Sequence, residues 1–185
     1  MAVERTRRKP APNQLARIFP QAYIHPLVTR YQQEIAAYGS GSVWATTPFL
    51  LVTFIKTLAL MFHASGPATL GLSQLTTDFW DLLLSLRVQA VGHVNVLEAL
   101  LFGLLTVLQV NEDKQAIAQV HSKQLLETQQ WANMVFERTG QGSLVQQDGE
   151  GEEAKVRTLA AAVLVNTGEV MEAYRKVLMG DMMGM

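Results

Sequence analysis

The chain has 185 residues, is 49% hydrophobic and only 17% charged, and carries a net charge of −1. That length holds one domain with a sizeable core, and near-neutral charge gives the whole no electrostatic footprint for nucleic acid. With zero cysteines, disulfides, thiolate metal ligands and cysteine nucleophiles are excluded, and a charged share below the roughly 25% usual in soluble domains means a large core or apolar surface kept for a partner.

Residues 1–11 read as a flexible basic arm, with Arg5, Arg7, Arg8 and Lys9. The opening segment has charges and prolines but no apolar core of a signal peptide. The arm is a solvated terminal segment or a weak phosphate-contact or nuclear-import patch. Asn13 is an N-cap candidate for a short helix over 14–22. Pro26 suits the first turn of the next helix, which places Leu27, Val28, Tyr31 and Ile35 on one stripe. Gly39-Ser40-Gly41-Ser42 ends it as a loop.

Thr47 before Pro48 starts a helix that is apolar almost all round to Ala64, a pattern that predicts burial on several sides. Ser65-Gly66-Pro67 breaks it. A helix over 68–88 follows, with Leu70, Leu72, Leu75, Phe79, Leu82, Leu83 and Leu86 inward, and Ser73, Gln74, Thr77, Asp78 and Asp81 outward. Gly92 separates it from a helix over 93–109. The runs Pro48–Phe62 and Val94–Val110 approach membrane hydrophobicity. They fall short of the ~20 apolar residues a bilayer span needs, and they carry Lys56, Asn95 and Glu98, so they read as buried helices.

Asn111 is an N-cap candidate for a long helix running to Arg138, with Ile117, Val120, Leu125, Trp131, Met134 and Val135 as core candidates. Residues 139–153 read as a long acidic loop. The final helix, 153–178, sets Val156, Ala160, Val163, Thr167, Val170, Tyr174 and Val177 at alternating spacings of three and four, a seam that must pack on a neighbouring helix. Residues 180–185 read as a frayed, disordered tail holding several of the methionines. No segment shows sustained period-two alternation, so no strand is expected.

The pairs 48–88 and 93–138 recur at about 45 residues, within the ~40–47-residue range of HEAT-type repeats. The fold expected is all-α, an α-solenoid of HEAT-like antiparallel helix pairs with about seven helices, forming one repeat domain over 12–179.

No catalytic chemistry assembles in the sequence. His25, His63, His93 and His121 have no partner at i+3 or i+4 for a paired metal face. There is no nucleophile elbow, no phosphate loop and no calcium-loop spacing. Asp78 and Asp81 share a helix face, which reads as a wet surface opposite the apolar stripe. No catalytic residue, cofactor site or metal site is expected, and the protein reads as a non-enzyme. Trp80 and Trp131 fall on or beside apolar stripes and read as core. Trp44, in a loop before a helix, is the better candidate for an exposed partner anchor. Arg87, at a helix end, caps carbonyls or faces a partner; both readings stand.

Several segments carry a family resemblance. They are Phe19-Pro20 through Tyr23-Ile24-His25-Pro26-Leu27-Val28-Thr29-Arg30-Tyr31, then Phe79-Trp80-Asp81-Leu82 to Leu86-Arg87, then Leu125-Leu126-Glu127 with Trp131 and Val135, and the acidic lead into Arg157-Thr158-Leu159-Ala160. In this order and spacing the chain resembles the C-terminal region of the telomere length regulation protein family, whose eponymous member is a subunit of the TTT cochaperone complex. It departs from that pattern in its acidic loop and lacks the family's upstream acidic serine linker, as a C-terminal fragment of a longer protein would.

The resemblance implies a non-catalytic adaptor. Its implied partners are the other helical-repeat subunits of the TTT complex, a heat-shock chaperone and its AAA ATPase cochaperone. The implied clients are the phosphatidylinositol kinase-related kinases, among them TOR and the DNA-damage checkpoint kinases. Telomere length regulation would follow from kinase maturation, in cytoplasm and nucleus. The alternatives are a telomeric nucleic-acid-binding domain, against which the near-neutral charge argues, and a generic helical-repeat interaction module.

Overall fold

The computed structural model describes residues 25–38, 47–65, 74–90, 92–110, 113–140 and 150–183. Among these residues there is no strand. Seven helices run in order: α1 His25–Tyr38, α2 Pro48–Ser65, α3 Gln74–Ser85, α4 Val94–Val110, α5 Lys114–Val120, α6 Ser122–Gly140 and α7 Glu150–Met183, with a 3-10 segment, Leu86–Ala90, after α3.

Local chemistry sets several boundaries. At α2 the Thr47 carbonyl accepts from the amides of Leu50 and Leu51 at 3.0 and 3.3 Å, and Pro48 occupies the first helical position, where no amide hydrogen is needed. The turn into α4 passes through Gly92 at φ 84°, a left-handed conformation that a side chain would strain. The His93 carbonyl then accepts from Val96 and Leu97, both at 3.0 Å. At α5 the Asp113 carboxylate accepts from the Ala116 amide at 2.9 Å and caps the helix.

α4 is the central helix. It packs on α2, α3, the 3-10 segment and α7. Its exposed positions are Asn95 and Gln109 at its two ends. Gly103, mid-helix, is there for closeness: a Cβ would stand 2.9 Å from Leu83 Cδ2 of α3 and 3.6 Å from Ile55 of α2. The ~1 kcal/mol that glycine costs a helix is offset by that approach. α7 packs on α4, α5 and α6, and α3 packs on α1 and α6. The expected α7 seam forms, with Val156, Ala160, Val163, Thr167 and Val170 buried and Tyr174 half-buried.

Several sequence expectations need correction. The helix over 111–138 is two helices, kinked at His121 (φ −115°, ψ 30°). No proline or glycine stands there; the bend lets α5 lie on α7, so tertiary packing sets it. Val120 and Met134, expected in the core, are exposed, while Ile117, Leu125, Trp131 and Val135 are buried. The loop expected over 139–153 is shorter, since α6 reaches Gly140 and α7 begins at Glu150. The tail expected to fray from Gly180 is helical through Met183.

Of the helix expected over 68–88, residues 74–85 form α3 and residues 86–88 continue in the 3-10 segment, while residues 68–73, with Leu70, Leu72 and Ser73, lie outside the described residues; Leu27, placed on the inner stripe of α1, is exposed. The basic arm, Asn13 and the helix 14–22, the loop 39–42, Trp44, Asn111 and residues 141–149 lie outside the described residues. Among the described residues no single helix is long and apolar enough to cross a membrane. α4 and α5 together would reach the length, but they turn through 118°.

Candidate functional site

Two surfaces stand out once the core is assigned. The first is the outward face of α2. Leu51, Phe54, Ile55, Leu58, Ala59 and Phe62 turn inward, and Tyr31 of α1 stacks on Phe54 at 5.2 Å. On the other side Phe49, Thr53, Thr57, Leu60 and Ala64 follow one another at helical spacing, all exposed and none charged. Phe49 is 76% exposed and Leu60 59%. Burial on several sides was the expectation for this helix; among the described residues the strip from Phe49 to Ala64 is left uncovered. Lys56 lies at the edge of the strip and pairs with Glu98 of α4 at 3.4 Å.

The second is the joint between α3 and α6, built from polar contacts. Trp80 is fully buried, and its indole N–H donates to the Thr128 hydroxyl at 2.8 Å. Asp81, one residue on, accepts from the Gln124 amide at 3.0 Å. Arg87 donates through Nε to the Leu84 carbonyl at 2.6 Å and through its guanidinium to Glu127 at 3.0 Å. The capping reading of Arg87 is therefore satisfied, and the same side chain also ties the 3-10 segment to α6. Val88 beside it is 76% exposed. The other proposed anchor, Trp44, lies outside the described residues.

His121 closes the joint. Its ring lies 5.6 Å from the Trp80 indole at 41° and is buried, and neither nitrogen has a hydrogen-bond partner among the described residues. Burial lowers its pKa from the ordinary 6.5, partly countered by Asp81. His63 and His93 are exposed, and no described group of His, Asp and Glu could hold a metal ion. Asp78 is half-buried and engaged by the Gln74 amide at 2.9 Å, and Asp81 is exposed and bonded to Gln124, so the two carboxylates do not form an acid–base pair.

Sequence reasoning missed Thr128, Glu127 and Gln124, because each meets its partner across 40 to 48 residues of chain. The α2 strip was foreshadowed by a helix that is apolar on too many sides for one neighbour to cover.

No family model, no curated protein and no solved structure matches this chain.

Proposed function

We propose that this chain is a non-catalytic adaptor domain that binds other helical proteins, with the outward strip of α2 as its docking face. The observation that carries the reading is that strip: Phe49, Thr53, Thr57, Leu60 and Ala64, exposed over four turns and uncharged, with Lys56 at its edge paired to Glu98. Solvated helix faces are normally charged, and contiguous uncharged surface centred on large apolar side chains marks contact sites.

The neighbour order supports a stacked architecture. α2, α4 and α7 follow one another as packed neighbours, and α3 and α6 pack beside them. Helices that pack on one another from alternate places in the chain, as α2, α4 and α7 do, are compatible with HEAT-like pairs. Among the described helices α2 stands at the end of that row, and an exposed row end is where a further helical unit adds.

With the sequence resemblance, this reading becomes the C-terminal part of a telomere length regulation-type cochaperone subunit. The domain would join helical-repeat subunits of a TTT-type complex to the chaperone and AAA ATPase machinery that matures phosphatidylinositol kinase-related kinases, in cytoplasm and nucleus.

Affinity capture from cell extract, read by mass spectrometry, tests this. The wild-type chain is expected to recover helical-repeat subunits and kinases of that class, and a Phe49→Glu, Leu60→Glu double variant to lose them while keeping its helical circular dichroism. Recovery of neither class by the wild type sinks the assignment. Equal recovery by the double variant moves the docking face elsewhere.

A further inference from the structure

His121 does two jobs at one place. Its backbone holds the kink between α5 and α6: its amide donates to the Ile117 carbonyl at 2.8 Å, and its carbonyl accepts from the Leu125 amide at 2.9 Å. Its side chain fills the joint against Trp80 and is 1% exposed, with neither nitrogen partnered among the described residues.

A neutral imidazole has one N–H donor; a protonated one has two donors and a charge. An unpartnered neutral ring is tolerable in such a site, but a buried unpartnered cation is far more costly. α5 has only 7 residues, too few to persist as a helix without its neighbours. It is held by Ile117 and Ala118 in the core, by its Asp113 cap and by the Lys114–Glu169 ion pair to α7.

We propose that His121 is a proton-operated joint: the neutral ring locks α5 and α6 against α3, and uptake of one proton from solvent in the mildly acidic range swings the ring out toward Asp81 and releases α5. The surrounding charges fit this. On α3, Asp81 is exposed and acts on the imidazole in favour of the proton, and Asp78 is taken by Gln74. After α3, Arg87 is paired with Glu127 of α6. On α5 and α7, Lys114 and Glu169 pair with each other. Lys123 on α6 is exposed. The closed joint thus offers the N–H groups of a protonated ring no acceptor among the described residues, while an opened one offers the Asp81 carboxylate and water. Burial outweighs Asp81 and keeps the ring's pKa below 6.5, so the closed state is the neutral-pH state.

An NMR titration of the whole chain from about pH 8 to about pH 4.5, across the range in which histidines change charge, tests the proposal. The His121 ring is expected to titrate below 6.5, and the Trp80 indole N–H and the α5 amides to shift with the same midpoint while the α2 amides stay in place. A His121 midpoint at or above 6.5, or a Trp80 indole that ignores the titration, overturns it. In His121→Phe, which keeps a packed ring without the proton site, the shared transition should vanish from Trp80 and α5; its persistence at the same midpoint also overturns the proposal. Should that variant not fold, the wild-type titration alone decides.

Discussion

Along the seam of α7 the buried side chains that meet α4 and α6 are Val156, Ala160, Val163, Thr167 and Val170, almost wholly apolar and small. Between α3 and α6 the contacts are instead Trp80 to Thr128, Asp81 to Gln124 and Arg87 to Glu127. The apolar seam supplies burial, which is strong but indifferent to a small slide of one helix on another. The polar joint supplies little net energy but demands one register, since a slide would leave the Trp80 N–H buried without an acceptor. Stability and registration are thus assigned to different interfaces of one small domain.

The largest expected effect lies on the apolar side. Leu100→Ala, at a fully buried position of α4, should lower unfolding stability by ~2–5 kcal/mol in urea denaturation. A loss under ~1 kcal/mol would show that α4 is not the centre of the core.

Alkaline pH probes the α1–α2 contact of the same apolar side. Burial pushes the Tyr31 pKa from 10.0 up to about 12, so the folded state keeps a proton that the unfolded state releases. Stability from this source is whole below pH 10 and is lost as pH rises toward 12, by roughly 2–3 kcal/mol. Tyr31→Phe should flatten that decline in melting temperature; an unchanged slope would assign it elsewhere.

On the polar side, Thr128→Val should cost ~1–3 kcal/mol, because the shape is kept and the Trp80 N–H is orphaned. Pairing it with Trp80→Phe should cost less than the sum of the two single changes. Simple additivity would mean the bond does not couple the helices.

The smallest effect belongs to Arg87 and Glu127, whose side chains are 30% and 33% exposed. Water screens such a pair, so a double-mutant cycle should return ~0.2–1 kcal/mol. A coupling well above that would make the polar joint a source of stability as well as of register.

The same division explains what could be read in the sequence. The α7 seam was legible because three-and-four spacing needs no knowledge of the partner helix. Gly92 and Thr47-Pro48 were legible because local backbone chemistry fixes them. The kink at His121 was not, since no residue there breaks a helix and the cause is α5 lying on α7. Val120 was misplaced for the same reason, the stripe having been drawn on a straight helix, whereas Met134 lies beside the buried face of α6 that Leu125, Trp131 and Val135 mark. The partners of Trp80, Asp81 and Arg87 were invisible because polar pairing between distant helices leaves no periodic trace. Arg87 was recognised as a helix-end residue, and its carbonyl contact follows from that position; Glu127 does not.

α7 also has a consequence for how the molecule comes into being. It covers α4, α5 and α6, and it is the last of the described helices to leave a ribosome. Until it does, the sides of α4 and α6 that it covers face water, on a nascent chain that already carries every earlier helix. Such half-finished apolar intermediates are the species prone to aggregate. The time between synthesis of α6 and release of α7 is therefore the vulnerable interval in the life of this protein, and a slow stretch of translation there would lengthen it.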